Sequence, residues 1–191
     1  GNPSFTCTTY PFTQDNFADG AFVDADTFRD QGVRLYGPSA NDVALDAEPE
    51  GAAFTDDGRY LFIVLQDNNA YVIWDVLDEA YLFMNGFPLL PAEMDPSDRD
   101  DAISIRTAWG TDNTPVFKML MPDQAASFST GGLYYFVTAN EGDTRDGEDV
   151  IGIGANIEGE EIRLGDANPD CLDCGNATEL GRLLTTVFMP S

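Results

Sequence analysis

The 191-residue chain contains no histidine, a single lysine (Lys118) and three cysteines. Without histidine the chain cannot build a Ser-His-Asp triad, a histidine-ligated zinc site or phosphohistidine chemistry from its own residues. Three thiols without histidine also argue against a four-ligand zinc site. No apolar run reaches the roughly 18 residues that a membrane-spanning helix needs, so we expect no membrane span. The opening at Gly1 shows no signal peptide and fits a processed or excised segment.

Basic residues are scarce throughout: nine Lys plus Arg face 34 Asp plus Glu, which gives a formal net charge of −25. Such a surface repels nucleic acid and anionic lipid, so we expect no nucleic-acid partner. One interpretation is a solvated acidic surface that keeps a secreted protein soluble. The other is that some of the acids bind calcium, because the absence of histidine does not exclude a hard cation held by carboxylates.

The cysteines favour an oxidising compartment. Cys171 and Cys174 lie in a loop rich in Asn, Pro, Asp and Gly, while Cys7 stands alone. A disulfide from Cys7 to one of the pair, or one within the pair, fits this spacing. Asn176 begins an Asn-Ala-Thr glycosylation sequon in the same loop. Together these features predict a secreted or cell-surface glycoprotein.

One pattern occurs twice, about 73 residues apart. Each copy reads Pro, an acid, a small apolar run, Phe, a turn with Gly, and then an aromatic strand; the copies occupy 48–64 and 121–138. Repetition at this scale is typical of β-sheet repeat units such as propeller blades. Aromatic residues alternate with period two in the strands, so we interpret them as core or inter-blade packing; they are Tyr60, Phe62, Tyr134 and Phe136.

These patterns predict an all-β fold: a partial β-propeller of about two to three four-stranded antiparallel blades with long loop insertions. We expect one incomplete propeller segment over 1–191. It divides into a loop-rich lead-in (1–31), a first blade (32–84), a loop excursion (85–120), and a second blade with acidic and Cys-containing loops (121–191). Strands are expected at 33–36, 50–54, 59–65, 70–76, 80–84, 123–128, 133–139 and 182–187, with Gly58 and the Asn-rich turn at 67–69 supplying positive φ. The last strand has no evident partner, so further blades would come from a longer chain or from other chains.

Acids at equivalent places in the two repeats are the candidate metal ligands. Blade-equivalent positions surround one axis, so these oxygens could converge at the mouth of a central channel and hold Ca²⁺; they belong to Glu48, Glu50, Asp123, Asn140, Glu141 and Asp143. A second acidic run comprises Asp95, Asp98, Asp100 and Asp101. In both places the alternative is ordinary turn chemistry, since Pro-acid before a strand and Asp or Asn after one are common.

Six blocks of sequence, taken in order, resemble the choice-of-anchor I propeller family, which includes mesenchyme-specific cell-surface glycoproteins of biomineralising tissue. The blocks lie at 32–50, 65–70, 95–100, 121–123, 138–145 and 180–183, and read GVRLYGP with DAEPE, LQDNNA, DPSDRD, MPD, TANEGDTR and LGRL. The resemblance implies an extracellular, calcium-associated propeller. Family members are described either as matrix glycoproteins or as atypical alkaline phosphatases, so the resemblance does not decide activity. Gln124 and Ala125 depart from the family pattern, and the Cys loop has no counterpart in it.

Three functions follow from these observations. The first is a non-catalytic, calcium-associated structural or adhesive module of a matrix, cell surface or filament. The alternative is a calcium-dependent phosphomonoesterase, for which Arg99 and Arg145 are the local candidates to neutralise phosphate. The third is a carbohydrate- or protein-binding module that uses residues 85–118.

Overall fold

The computed structural model describes residues 6–35, 43–142, 173–181 and 183, together with the backbone of 161–163 and 184–186. This part of the chain is mainly antiparallel β-structure, as the sequence predicted. Its two short α-helices are α1 (Ala25–Asp30) and α2 (Val43–Asp46). Its strands are β1 (Pro49–Phe54), β2 (Tyr60–Leu65), β3 (Ala70–Asp75), β4 (Ala80–Gly86), β5 (Leu90–Pro91), β6 (Ala108–Trp109), β7 (Thr114–Pro115), β8 (Phe117–Lys118), β9 (Pro122–Thr130), β10 (Leu133–Asn140), β11 (Glu161–Arg163) and β12 (Leu184–Thr186).

Strands β1 to β4 form one antiparallel sheet in chain order, at the four places that the sequence predicted. The predicted turn residues supply the required backbone geometry. Gly58 has φ +70° between β1 and β2, and Asn69 has φ +46° between β2 and β3. Gly131 and Gly132 both have positive φ in the two-residue connection of the β9–β10 hairpin, as the tightest hairpins require.

One face of the β1–β4 sheet is covered, and the other is covered over β1 and β2, while Phe83 on β4 is 37% exposed. One face packs against the segment before the sheet, where Phe28 and Val33 are fully buried against Val72 and Met84. The opposite face carries Phe62 and contacts the β9–β10 hairpin. Since each fully buried large apolar side chain contributes roughly 1.5–3 kcal/mol, these two layers hold the sheet in place.

Strand β9 of the β9–β10 hairpin lies along β1 and runs in the same direction. Ser127 donates to the carbonyl of Phe54, and Ser129 donates to the Asp56 carboxylate over 2.6 Å. At the other end of β1, a Cβ on Gly51 would lie 2.6 Å from the Asp123 carbonyl oxygen, so only glycine permits this backbone approach. The repeat units found in the sequence therefore pack directly on one another.

Several expectations were wrong in detail. Residues 33–35 are not part of a strand, although Val33 and Leu35 are buried in the core and the Arg34 backbone N–H donates to the Asn68 carbonyl; Tyr36 lies outside the described residues. The lead-in contains α1, whose six residues are too few to show a helical period; Asp24 caps it through a 2.8 Å bond from Thr27 N.

The excursion and the chain end also differ from expectation. Residues 85–120 contain two short antiparallel pairs, β5 with β8 and β6 with β7. The last strand has a partner, because β12 pairs with β11 through Glu161↔Thr186 and Arg163↔Leu184. Strands of two or three residues lack the alternation that sequence patterns detect. Among the described strands the sheets are separate, and they do not close into a ring of blades.

Candidate functional site

The predicted metal-ligating residues lie at one end of the stacked hairpins. β1 begins where β2 ends, with Pro49 opposite Leu65, and β9 begins where β10 ends, with Pro122 opposite Asn140. Because β1 and β9 run in the same direction, these four strand ends are neighbours. We call this region the acidic end; its described members are Glu48, Glu50, Asp123, Asn140 and Glu141.

Three hydrogen bonds fix the acidic end, and one of them joins the two repeats. The Gln66 side-chain amide, at the end of β2, donates to a Glu141 carboxylate oxygen over 3.3 Å. The Glu141 N–H donates to the Met121 carbonyl over 3.3 Å. The hydroxyl of Thr138 donates to Asn140 Oδ1 over 2.9 Å. Glu141 is therefore the side chain that ties the second repeat to the first at this end.

The acidic end does not by itself form a metal cage. Among the residues that the structure describes, no group of three or more carboxylate, thiol or imidazole side chains lies close enough to hold a metal ion. Calcium takes six to eight oxygens, so the described donors fall short of that number. Asp143, the remaining predicted ligand, lies outside the described residues.

A buried amide beside the acidic end was not predicted as important. Asn68 is completely buried, and its side-chain nitrogen donates to the carbonyls of Arg34 (2.9 Å) and Asp46 (3.0 Å). Its side-chain oxygen accepts from the Glu48 N–H over 2.9 Å. The neighbouring Asn69 accepts from the N–H groups of Leu120 and Met121. This asparagine pair therefore joins the β2–β3 turn to the segments that lead into β1 and β9.

A second polar contact joins the opposite ends of the hairpins. Tyr134 donates its hydroxyl to the Asp57 carboxylate, which also accepts from the Arg59 N–H (3.0 Å) and the Thr55 hydroxyl (2.7 Å). The tyrosine bond is the largest cause that lowers the pKa of Asp57 to about 2. The same bond raises the pKa of Tyr134. The pair locks the first repeat's turn to the second repeat's strand.

The acidic run at 95–101 serves local turns. Asp95 accepts from Ser104 N over 3.0 Å, and Asp100 accepts from Ala102 N over 3.4 Å. Asp98 forms an exposed 3.4 Å ion pair with its neighbour Arg99. This geometry matches the turn chemistry that was the alternative to a cation site. Arg145, the other candidate phosphate ligand, lies outside the described residues.

The cysteine prediction needs one correction. Cys7 is free and exposed, so a disulfide from Cys7 to the later pair is not formed. Cys7 is exposed, so no packing fixes it beside the buried Cys174. Cys174 is fully buried and is not a free thiol. Cys171 lies outside the described residues, so a bond between these two stays a prediction. Asn176 is exposed in a turn that its carbonyl closes by accepting from the Glu179 and Gly181 N–H groups.

In the described part of the chain, neither helix has the length or apolar content to cross a lipid bilayer.

Comparison with known proteins identifies a family. No curated protein and no solved structure matches the sequence. The model of the choice-of-anchor I domain matches residues 5–189, which is nearly the whole chain, and this domain is associated with the cell surface or the extracellular space. The chain therefore belongs to the choice-of-anchor I domain family.

Proposed function

We propose that this chain is a structural or adhesive module of an extracellular matrix, cell surface or filament, and that its stacked sheets are neighbouring blades of a partial β-propeller. The observation that carries the proposal is the direct packing of one sequence repeat on the other. In a propeller the inner strands of adjacent blades run side by side in the same direction, which is how β1 and β9 are arranged. The close approach at Gly51 fits blades that converge towards an axis.

The lining of an open apolar cavity beside the contact between the repeats supports a packing role. This cavity has a volume of about 320 Å³ and is lined by apolar and aromatic side chains, namely Tyr60, Phe62, Tyr71, Ile73, Leu82, Phe83 and Phe136. Small-molecule sites combine such a lining with a few convergent polar groups that orient the ligand. A phosphate ester would find no cation here to offset its charge. The cavity is better suited to further packed side chains than to a charged substrate.

We further propose that calcium binds at the acidic end. Asp123 lies at the start of β9 and Glu141 directly follows the neighbouring end of β10. The mutual repulsion of such carboxylates falls when a cation binds between them. The described donors are too few for a complete calcium site, so the site requires at least one additional group, for which Asp143 is our candidate. With Glu50 of the first repeat as a further ligand, the metal would cross-link the two repeats. The chain's own contribution is the Gln66 bond that orients Glu141.

We also propose that Asn176 is glycosylated. Both Asn176 and Thr178 are exposed, as the attachment of a bulky glycan requires. Secretion of the chain from a eukaryotic cell should give a species that becomes smaller on enzymatic deglycosylation, and Asn176→Gln should abolish that difference. Asn140→Gln, at an exposed asparagine without a sequon, is the matched control. A deglycosylation shift that persists in Asn176→Gln would contradict this site.

An assay of phosphate release separates the structural role from the phosphomonoesterase alternative. The whole chain is incubated with calcium and an aryl phosphate, and release is compared with a calcium-only blank. The structural role predicts no release above the blank. Release that is lost in folded Glu50→Ala or Asp123→Ala variants would establish the alternative, and the structural assignment would then be wrong.

A further inference from the structure

The outward face of the β9–β10 hairpin lacks the polar character of a solvated sheet face. Its side chains alternate with those that contact the first sheet, and all are exposed; they belong to Gln124, Ala126, Phe128, Thr130, Leu133, Tyr135, Val137 and Ala139. The rings of Phe128 and Tyr135 stack on this face with centroids 5.0 Å apart and planes 7° apart. A sheet with one face in water normally alternates apolar and polar residues. In this hairpin the outward face is the more apolar one, whereas the inward face carries the hydroxyls of Ser127 and Ser129 that bond to the first repeat.

The same face lies in the longest stretch of the chain without a charged residue. No Asp, Glu, Lys or Arg occurs between Asp123 and Glu141, although the chain carries a net charge of −25. Two such acidic molecules repel one another over most of their surfaces. On this face a close contact between them buries no carboxylate and places no like charges together.

We propose that the outward β9–β10 face is a self-association surface, occupied by the same face of a second copy of this chain. The inward face of β9–β10 is already occupied, because it packs on β1 and β2. The outward face is exposed and carries no charge, so two acidic copies can share it, and a contact between identical patches is the two-fold arrangement expected of a homodimer. The proposed contact resembles one within the molecule, where β9–β10 packs face to face on β1–β2. The inference deepens the proposed structural role, but it concerns this surface alone.

The test is the concentration dependence of the mass of the whole chain in solution. We expect a dimer that dissociates on dilution and that tightens as added salt screens the repulsion between acidic surfaces. Val137→Glu should raise the dimer dissociation constant by roughly tenfold or more, because it buries an unpaired charge in the contact. Ile103→Glu is the matched control, since Ile103 is 91% exposed and lies elsewhere; it should leave the constant unchanged.

Thermal melts of both variants establish that each remains folded. A wild-type chain that stays monomeric at every concentration overturns the proposal and points to another polypeptide, or to other strands of this one, as the occupant of the face. Equal weakening by Val137→Glu and Ile103→Glu also overturns it, because the dimer would then depend on total charge and not on this surface. Neither result bears on phosphate release, so the structural role and the self-association surface can fail separately.

Discussion

The rings of Phe62 and Phe136 stack with their centroids 4.5 Å apart and their planes 15° apart, although 74 residues separate them in the chain. Phe62 is 4% exposed and belongs to the first repeat, while Phe136 is the corresponding aromatic residue of the second. The Tyr60 and Tyr134 rings also meet across the repeats, but edge to face, with centroids 5.8 Å apart. Aromatic residues that recur in the sequence repeat thus form the contact between the repeat units.

Gly51→Ala tests the backbone contact between β1 and β9. The added Cβ would lie 2.6 Å from the Asp123 carbonyl oxygen, which belongs to the backbone and cannot rotate away. We expect the free energy of unfolding to fall by about 1–3 kcal/mol, as overpacking typically costs. Ala52→Ser adds one heavy atom at the exposed neighbouring residue and should change it by less than about 0.5 kcal/mol. Equal effects of the two changes in urea unfolding would show that β9 does not approach β1 so closely.

Asn68→Ala tests the buried amide beside the acidic end. The change leaves the Glu48 N–H and the carbonyls of Arg34 and Asp46 without the partner that Asn68 supplies. Each buried group left unsatisfied costs about 1–3 kcal/mol, so we expect the free energy of unfolding to fall by about 2 kcal/mol or more. Gln124→Ala removes an exposed amide and is the control. If chemical denaturation gives the two variants similar midpoints, the asparagine does not join these segments.

Tyr134→Phe tests the Tyr134–Asp57 contact through its pH dependence. The pKa of Asp57 is lowered from 3.8 to about 2, so the contact stabilises the fold above pH 3.8 and the stabilisation is lost as the pH falls towards 2. The pKa of Tyr134 is raised above 10, so stabilisation present below pH 10 is lost as the pH rises through the folded value. The difference in unfolding free energy between wild type and Tyr134→Phe should therefore be greatest between these limits. A difference that stays constant from pH 2 to 7 would contradict the contact.

Removal of calcium tests the proposed metal association. A ligand at about 100 times its dissociation constant adds about 2.7 kcal/mol of stability, which for a chain of this size raises the melting temperature by roughly 5–10 °C. We expect a chelator to lower the melting temperature by that order and Glu141→Gln to reduce the effect. Glu93→Gln, at an exposed glutamate of the excursion, should not. An identical melting temperature with calcium and with chelator would remove the metal from the account.

Local patterns predicted the parts of the fold that depend on local chemistry. The four strands of the first sheet, the β9–β10 hairpin and the positive φ of Gly58 and Asn69 were predicted, because alternation and turn residues act over a few positions. The role of Asn68 was missed, since its partners are distant in sequence and only the folded chain brings them together. Helix α1 was missed because six residues hardly complete two turns.

The candidate site was predicted less well than the fold. Equivalent strand ends do lie together, as the repeat implied, but adjacency of strand ends does not fix where carboxylates point. Glu141 is directed to Gln66, and Asp95 and Asp100 accept bonds from nearby N–H groups. A sequence shows that oxygen donors are available, whereas the competition between backbone donors and a metal for those oxygens is decided by the three-dimensional contacts.

A double-mutant cycle between Phe62 and Phe136 tests the stacking of the two repeats most directly. Unfolding free energies are measured for wild type, Phe62→Ala, Phe136→Ala and the double variant. The account predicts a coupling energy of about 0.5–1.5 kcal/mol, the usual value for an aromatic pair in contact. Strict additivity of the two single changes would show that the repeats do not pack on one another through these rings, and the proposal of neighbouring blades would lose its basis.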